Sequence, residues 1–220
     1  MAGRLFLIPC SLSDEYDVSF IAPSVIDQFK HIKHFIAERE KSARKFLKNC
    51  NINHPQSELI ILEIDKHNPQ QDFKNFLQDH GNENDIGLLS ESGMPAIADP
   101  GARAVMQAHE ISLGVIPLPG YTSLMLALMA SGLGGQQFAF HGYLPKEKEL
   151  LAQKIKSLEK ESEQKHQTQL IIETNYRNQA TFEALCQHLQ PDTKLCVAEN
   201  LTLPTQCVKN EKVKDWKKKK

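Results

Sequence analysis

Short apolar runs recur along this chain, each closed by a polar or turn-forming residue. Residues 5–8, 32–37, 59–64, 86–89 and 114–116 read as strands. Runs without strict alternation fit strands covered on both faces, as in parallel sheets. Between them, residues 18–29, 38–49, 71–80 and 102–108 carry the helical period. In 38–49, Ala43, Phe46 and Leu47 share one face and basic residues the other. This alternation predicts an α/β fold with a largely parallel sheet. Pro117-Leu118-Pro119-Gly120 is the clearest punctuation in the chain. It sets a junction between an N-terminal α/β domain, 1–117, and a C-terminal one, 118–220. The second half predicts helices at 122–131, 146–165 and 179–189. Leu150, Leu151, Ile155 and Leu158 form the apolar stripe of the longest. Its strands are expected at 138–141, 170–173 and 195–198, with 205–208 as a final hairpin partner.

Three segments depart from this rhythm. After the apolar run 86–89, Gly93, Pro95, Pro100 and Gly101 follow within a few positions. Proline lacks a donor and glycine admits backbone angles other residues avoid, so neither strand nor helix continues there. The segment reads as a shaped loop at one edge of a sheet, where open α/β sheets bind ligands. An ordinary strand-to-helix connection accounts for it equally well. Pro119-Gly120-Tyr121-Thr122-Ser123 opens a helix, and its unpaired amides and dipole suit a carboxylate or another electron-rich ligand. A plain N-cap by Thr122 or Ser123 is the other reading. Ala198-Glu199-Asn200-Leu201-Thr202 places polar residues directly after a strand, as a site or as a hairpin turn. His67 and Asn68 occupy a further loop beyond a strand.

Charge narrows the function classes. With 26 Lys and Arg against 27 Asp and Glu, the formal net charge is -1, so no global basic field exists. Any nucleic-acid contact has to be local. Arg39, Lys41, Arg44 and Lys45 cluster at one helix start, as a solvated face or a phosphate contact. The closing run 217–220 reads as a solvated, disordered tail. Five cysteines, with no C-x-x-C pair, speak against a disulfide framework or a metal site and fit a cytoplasmic protein. No apolar stretch approaches the roughly 20 residues of a membrane span, and the N-terminal run is too short for a signal peptide. Dinucleotide, Walker A and G-x-S-x-G motifs are missing.

The order of motifs resembles the tetrapyrrole methylase superfamily, the class III S-adenosylmethionine-dependent methyltransferases, within it the ribosomal RNA small-subunit methyltransferase I branch. Ser90-Glu91-Ser92-Gly93-Met94-Pro95 and Ile97-Ala98-Asp99-Pro100-Gly101 match the branch's Ser-Asp-Ala-Gly-Thr-Pro and Ile-Ser-Asp-Pro-Gly. Leu118 to Ser123 matches its Leu-Pro-Gly-Pro-Ser stretch, Ala130-Ser131-Gly132-Leu133 its Ala-Ser-Gly-Leu, and Gly142-Tyr143-Leu144-Pro145-Lys146 its Gly-Phe-Leu-Pro element. Ala37-Glu38-Arg39-Glu40-Lys41 stands where the branch has Ala-Glu-Asp-Thr-Arg, and His67-Asn68 matches its His-Asn loop. The chain departs from the pattern at Pro9-Cys10-Ser11-Leu12-Ser13-Asp14, which lacks the branch's glycines, and at Arg39, Lys41, Glu91 and Met94.

The resemblance implies two α/β domains of the tetrapyrrole methylase type with the donor in a cleft between them, and a homodimer. It implies S-adenosylmethionine held by Pro9, Ser92, Gly93, Met94 and Ile97 from one side. Thr122, Ser123, Glu173, Glu199, Asn200 and Leu201 would hold it from the other. The acceptor is expected to be a ribose 2′-hydroxyl of small-subunit rRNA, with Arg39, Lys41, Arg44 and Lys45 on its phosphates. Because a sulfonium donor carries its own activation, the protein mainly positions the reactants and accepts a proton. Glu91 and Glu38 are the carboxylates placed for that task, or else salt-bridge partners. A tetrapyrrole or other small-molecule acceptor is the second reading, and a non-catalytic donor-binding module the third.

Overall fold

The computed structural model describes residues 3–13 and 17–219; Asp14 of the first loop and Lys220 of the basic run lie outside them. The chain divides into two compact units, Met1–Thr122 and Ser123–Lys220.

In the first unit, β1 (Arg4–Ile8), β2 (His34–Ala37), β3 (Ile60–Glu63), β4 (Ile86–Leu89) and β5 (Gly114–Pro117) form one sheet in the order β3-β2-β4-β1-β5. Every pairing is parallel. β2 and β4 are buried at all four positions, and β4 is accordingly apolar throughout, while β2 carries one buried polar residue, His34. Alternate residues feed two cores. Phe6, Ile8, Phe35 and Leu89 pack with Val25 and Phe29 of α1 (Pro23–Phe29) and with Ala43, Phe46 and Leu47 of α2 (Glu40–Asn49). Leu5, Ile36, Ile86 and Leu88 pack with Leu77 of α3 (Lys74–Gly81) and with Ala104 and Ala108 of α4 (Ala102–Glu110). The expected helix over 18–29 starts only at Pro23. Proline is suited to a first helical position and pushes the residue before it out of helical geometry; Ala22 has ψ 137°.

The second unit contains α5 (Ser123–Ser131), β6 (Phe138–Phe140), α6 (Lys148–Lys165), β7 (Thr168–Leu170), α7 (Asn178–His188), β8 (Lys194–Glu199), β9 (Cys207–Lys212) and α8 (Val213–Trp216). β6 and β7 pair in parallel, and β8 and β9 pair antiparallel. Its core joins Leu144, Leu151, Ile155 and Leu158 to Leu185 and Leu189. The strand expected at 170–173 lies instead at Thr168–Leu170, since Ile172 N–H turns to the carbonyl of Gly142. Where a disordered basic tail was expected, Lys217–Lys219 form a 3-10 turn, and Lys218 pairs with Asp215 at 2.9 Å. Among the described residues, no helix is long and apolar enough to cross a membrane.

Candidate functional site

All strands of the first sheet run the same way, so the residues following each arrive at one edge. Three of these segments touch. The Cys10 amide donates to the Gly93 carbonyl at 2.8 Å, forming an isolated antiparallel bridge between the loops after β1 and β4. The segment after β5 closes on both: a Cβ on Gly120 would lie 2.2 Å from Pro9 Cβ and 2.9 Å from Met94 Sδ. Only glycine permits that approach. Pro9, Gly93 and Met94, three of the expected donor contacts, therefore meet here. Ile97 stands out on the loop at 47% exposure, an uncommon position for a large apolar side chain, and Ser92 is also exposed. Ala96 and Ala98, on either side of Ile97, have φ of 66° and 59°. Two alanines in the left-handed region mark a loop held against its local preference. Tyr121 packs edge-on to Phe20 at 5.9 Å, and Thr122 ends the unit. His67 and Asn68 lie exposed in the loop after β3, their amides donating to Asp65.

The carboxylates expected to do acid-base work also meet at this edge. Glu38, just beyond β2, accepts the Glu91 amide hydrogen through Oε1 at 2.9 Å. Its Oε2 lies 3.3 Å from Lys66 Nζ. The Glu91 carboxylate accepts from Ser42 Oγ at 2.5 Å, and its second oxygen is 3.9 Å from Arg39 Nε. Glu63, at the end of β3, accepts the Glu40 amide at 2.7 Å and so caps α2. Of the basic cluster, Arg39, Lys41 and Lys45 are exposed. Arg44 is placed differently: its guanidinium donates to Glu40, to the Gln56 carbonyl and to the Leu59 carbonyl, anchoring α2 to the segment before β3. Ser42 and Lys66 were absent from the sequence expectations. Their local sequence gives no signal for either, because Ser42 meets Glu91 and Lys66 meets Glu38 only through the packing of separate segments.

Asp99 anchors the strained loop. Its Oδ1 accepts the Gly101 amide at 2.6 Å, while Oδ2 is buried and has no hydrogen-bond partner among the described residues. Burial pushes its carboxyl up to about 6; the Gly101 amide pulls it back, and negative Glu38 adds to the rise. Between roughly pH 4 and 6 the folded chain therefore binds this proton more tightly than the unfolded chain does. The cost to folding builds across that window and is complete above it. Asp99→Asn removes the charge and keeps an oxygen for Gly101. We expect it to raise stability by about 1 kcal/mol at pH 8 and by nothing at pH 4, as read from urea midpoints.

The second unit places its expected residues apart from one another in role. Ser123 opens α5. The Glu173 carboxylate is engaged within its own unit: it accepts from the Thr174 amide (2.8 Å) and Thr181 Oγ1 (2.8 Å), and Arg177 lies at 3.4 Å. Burial works against its charged form, yet these donors outweigh it and hold the carboxyl below its ordinary value. Arg177 also donates to the Leu144 and Pro145 carbonyls, tying the start of α7 to the turn after β6. Glu199 ends β8; Asn200 and Thr202 have φ of 51° and 75°, with Leu201 between them. Among the described residues, no group of three or more His, Cys, Asp or Glu is arranged to hold a metal ion.

No family model matches the chain. Over 200 residues it is 30% identical to ribosomal RNA small subunit methyltransferase I of a Synechocystis species, covering 91% of this chain and 67% of that one. The Bacillus subtilis protein of the same name is 29% identical over 200 residues, covering 91% and 64%. That of Halalkalibacterium halodurans is 32% identical over 181 residues, covering 82% and 58%. The chain thus spans about two thirds of the length of the curated relatives it matches. Among solved structures, a uroporphyrin III C-methyltransferase from Thermus thermophilus matches 99% of this chain and 91% of its own, with TM-score 0.57 and 15% identity. That likeness is one of fold.

Proposed function

The chain belongs to the ribosomal RNA small subunit methyltransferase I family, and from that premise we propose that it transfers a methyl group from S-adenosylmethionine to a ribose 2′-hydroxyl of small-subunit rRNA. The observation that carries the reading is the junction of three loops at one sheet edge, through the Cys10–Gly93 bridge and the approach of Gly120 to Pro9 and Met94. Gly120, without a side chain, lets its segment close onto Pro9 and Met94 so that the three loops present one continuous surface. Pro9, Ser92, Gly93, Met94 and Ile97 would hold the donor, with Thr122 as a further contact from the same unit. When bound, S-adenosylmethionine supplies a methyl group already activated by its sulfonium.

The chain's own residues then have two tasks. Glu91, 32% exposed and held at the tip of β4, accepts the hydrogen of the acceptor hydroxyl. Glu38 fixes the backbone beneath it. Exposed Arg39, Lys41 and Lys45, on the same helix start, take phosphate oxygens and set the register of the RNA. A homodimer in the cytoplasm completes the reading.

Calorimetry with S-adenosylhomocysteine, followed by incubation with tritiated donor, tests it. We expect a micromolar dissociation constant and label in small ribosomal subunits assembled from unmethylated rRNA. No heat at millimolar ligand overturns donor binding. Label entering a precorrin and not the RNA moves the acceptor to a tetrapyrrole. Tight binding without transfer to either leaves a donor-binding module.

A further inference from the structure

Glu91 is held in a frame that determines which way its carboxylate faces. It borders a cavity of about 10 Å³, room for no more than one water, whose other lining residues are Cys10, Ala43, Phe46, Leu89, Ser42 and Ser90. Four of those six are apolar, so a carboxylate turned inward loses hydration without adequate replacement. Ser90 Oγ donates to the carbonyls of Ser92 and Gly93, within its own loop. Ser42, at 6% exposure, directs its hydroxyl to Glu91 Oε1 at 2.5 Å. Glu38 holds the Glu91 amide from the same chain segment, and Lys66 holds Glu38. One carboxylate oxygen is thereby tethered inward. The other is left on the outer side, beside Arg39.

We infer that Ser42 is a positioning residue for methyl transfer: by binding Oε1 it presents Glu91 Oε2 to the incoming acceptor hydroxyl. Ser42 touches neither reactant, because it is buried under Glu91. It acts through the orientation of that one carboxylate, which has three rotatable bonds to lose in reaching a productive pose. The inference rests on the methyltransferase reading and assigns a residue within it.

Wild type, Ser42→Ala, Ser42→Thr and Glu91→Gln are compared on small ribosomal subunits assembled from unmethylated rRNA. Donor-product affinity is measured by calorimetry on each. For Ser42→Ala we expect kcat to fall at least tenfold. KM for the subunits and Kd for S-adenosylhomocysteine should stay within about twofold. Threonine, which keeps the hydroxyl, should restore most of the rate; Glu91→Gln should be at least as impaired as Ser42→Ala. Full turnover by Ser42→Ala beside an impaired Glu91→Gln overturns the role of Ser42 alone. Full turnover by Glu91→Gln overturns the whole arrangement. A fall in Ser42→Ala that appears in Kd and that threonine does not rescue assigns Ser42 to packing and also overturns the inference. Failure of the wild-type chain to bind donor product or to transfer label removes the methyltransferase reading and the inference together.

Discussion

Gly120→Ala is expected to weaken S-adenosylhomocysteine binding at least tenfold and to destabilise the first unit by about 1–3 kcal/mol. The added Cβ would fall 2.2 Å from Pro9 Cβ and 2.9 Å from Met94 Sδ. Met94 has a flexible side chain and can turn aside. Pro9 cannot, because its ring is fixed to a segment already tied to β4 through Cys10 and Gly93. Relief therefore requires one whole loop to move, and the loops that would move carry the proposed donor contacts. Gly114→Ala is the matching control: among the described residues its new Cβ meets only Arg4 Cγ, at an ordinary 3.4 Å. Calorimetry and urea unfolding on both variants separate the local from the general effect. Wild-type affinity in Gly120→Ala would show that the junction does not shape the donor site.

Glu173→Ala is expected to destabilise the chain by about 3 kcal/mol, without a matching change at the carboxylates of the first unit. The substitution strips acceptors from Thr181 Oγ1, the Thr174 amide and Arg177, and both Arg177 and Glu173 have side chains less than a fifth exposed. Arg177 keeps the carbonyls of Leu144 and Pro145 but loses its counter-charge. The folded carboxyl lies below its ordinary value, so its contribution to stability is present at neutral pH and is lost as pH falls through that depressed range. Urea midpoints for wild type and variant should accordingly converge on acidification from pH 7 towards 3. If the variant unfolds like wild type at pH 7 but loses donor-product affinity, Glu173 belongs to the site and not to the scaffold.

The comparison of sequence with structure shows where local chemistry suffices. Ile86-Gly87-Leu88-Leu89 was legible as a strand because burial on both faces leaves no polar position to confuse the pattern. The loop behind it was legible as an interruption, since Gly93, Pro95 and Pro100 forbid regular structure. Its shape was not: the left-handed angles fall on Ala96 and Ala98, whose side chains give no such signal. Arg44 reads as one more cation of a basic run, yet its position on the helix turns it toward Glu40 and two backbone carbonyls. Ser42 and Glu91 are distant in sequence, and only the pairing of β2 with β4 brings them together. Pairing of that kind is fixed by the packed sheet as a whole.

The position of β4 between β1 and β2 also governs assembly of the nascent chain. Leu5 pairs with Ile86 on one side, and His34 pairs with Ile86 on the other. β1 and β2 share no ladder, so they become part of one sheet only through β4. Such long-range closure is slow and leaves sticky edges exposed in the meantime. The strand that fills the gap leads directly into Glu91 and Gly93, so closing the sheet and placing the proposed site residues are one structural requirement.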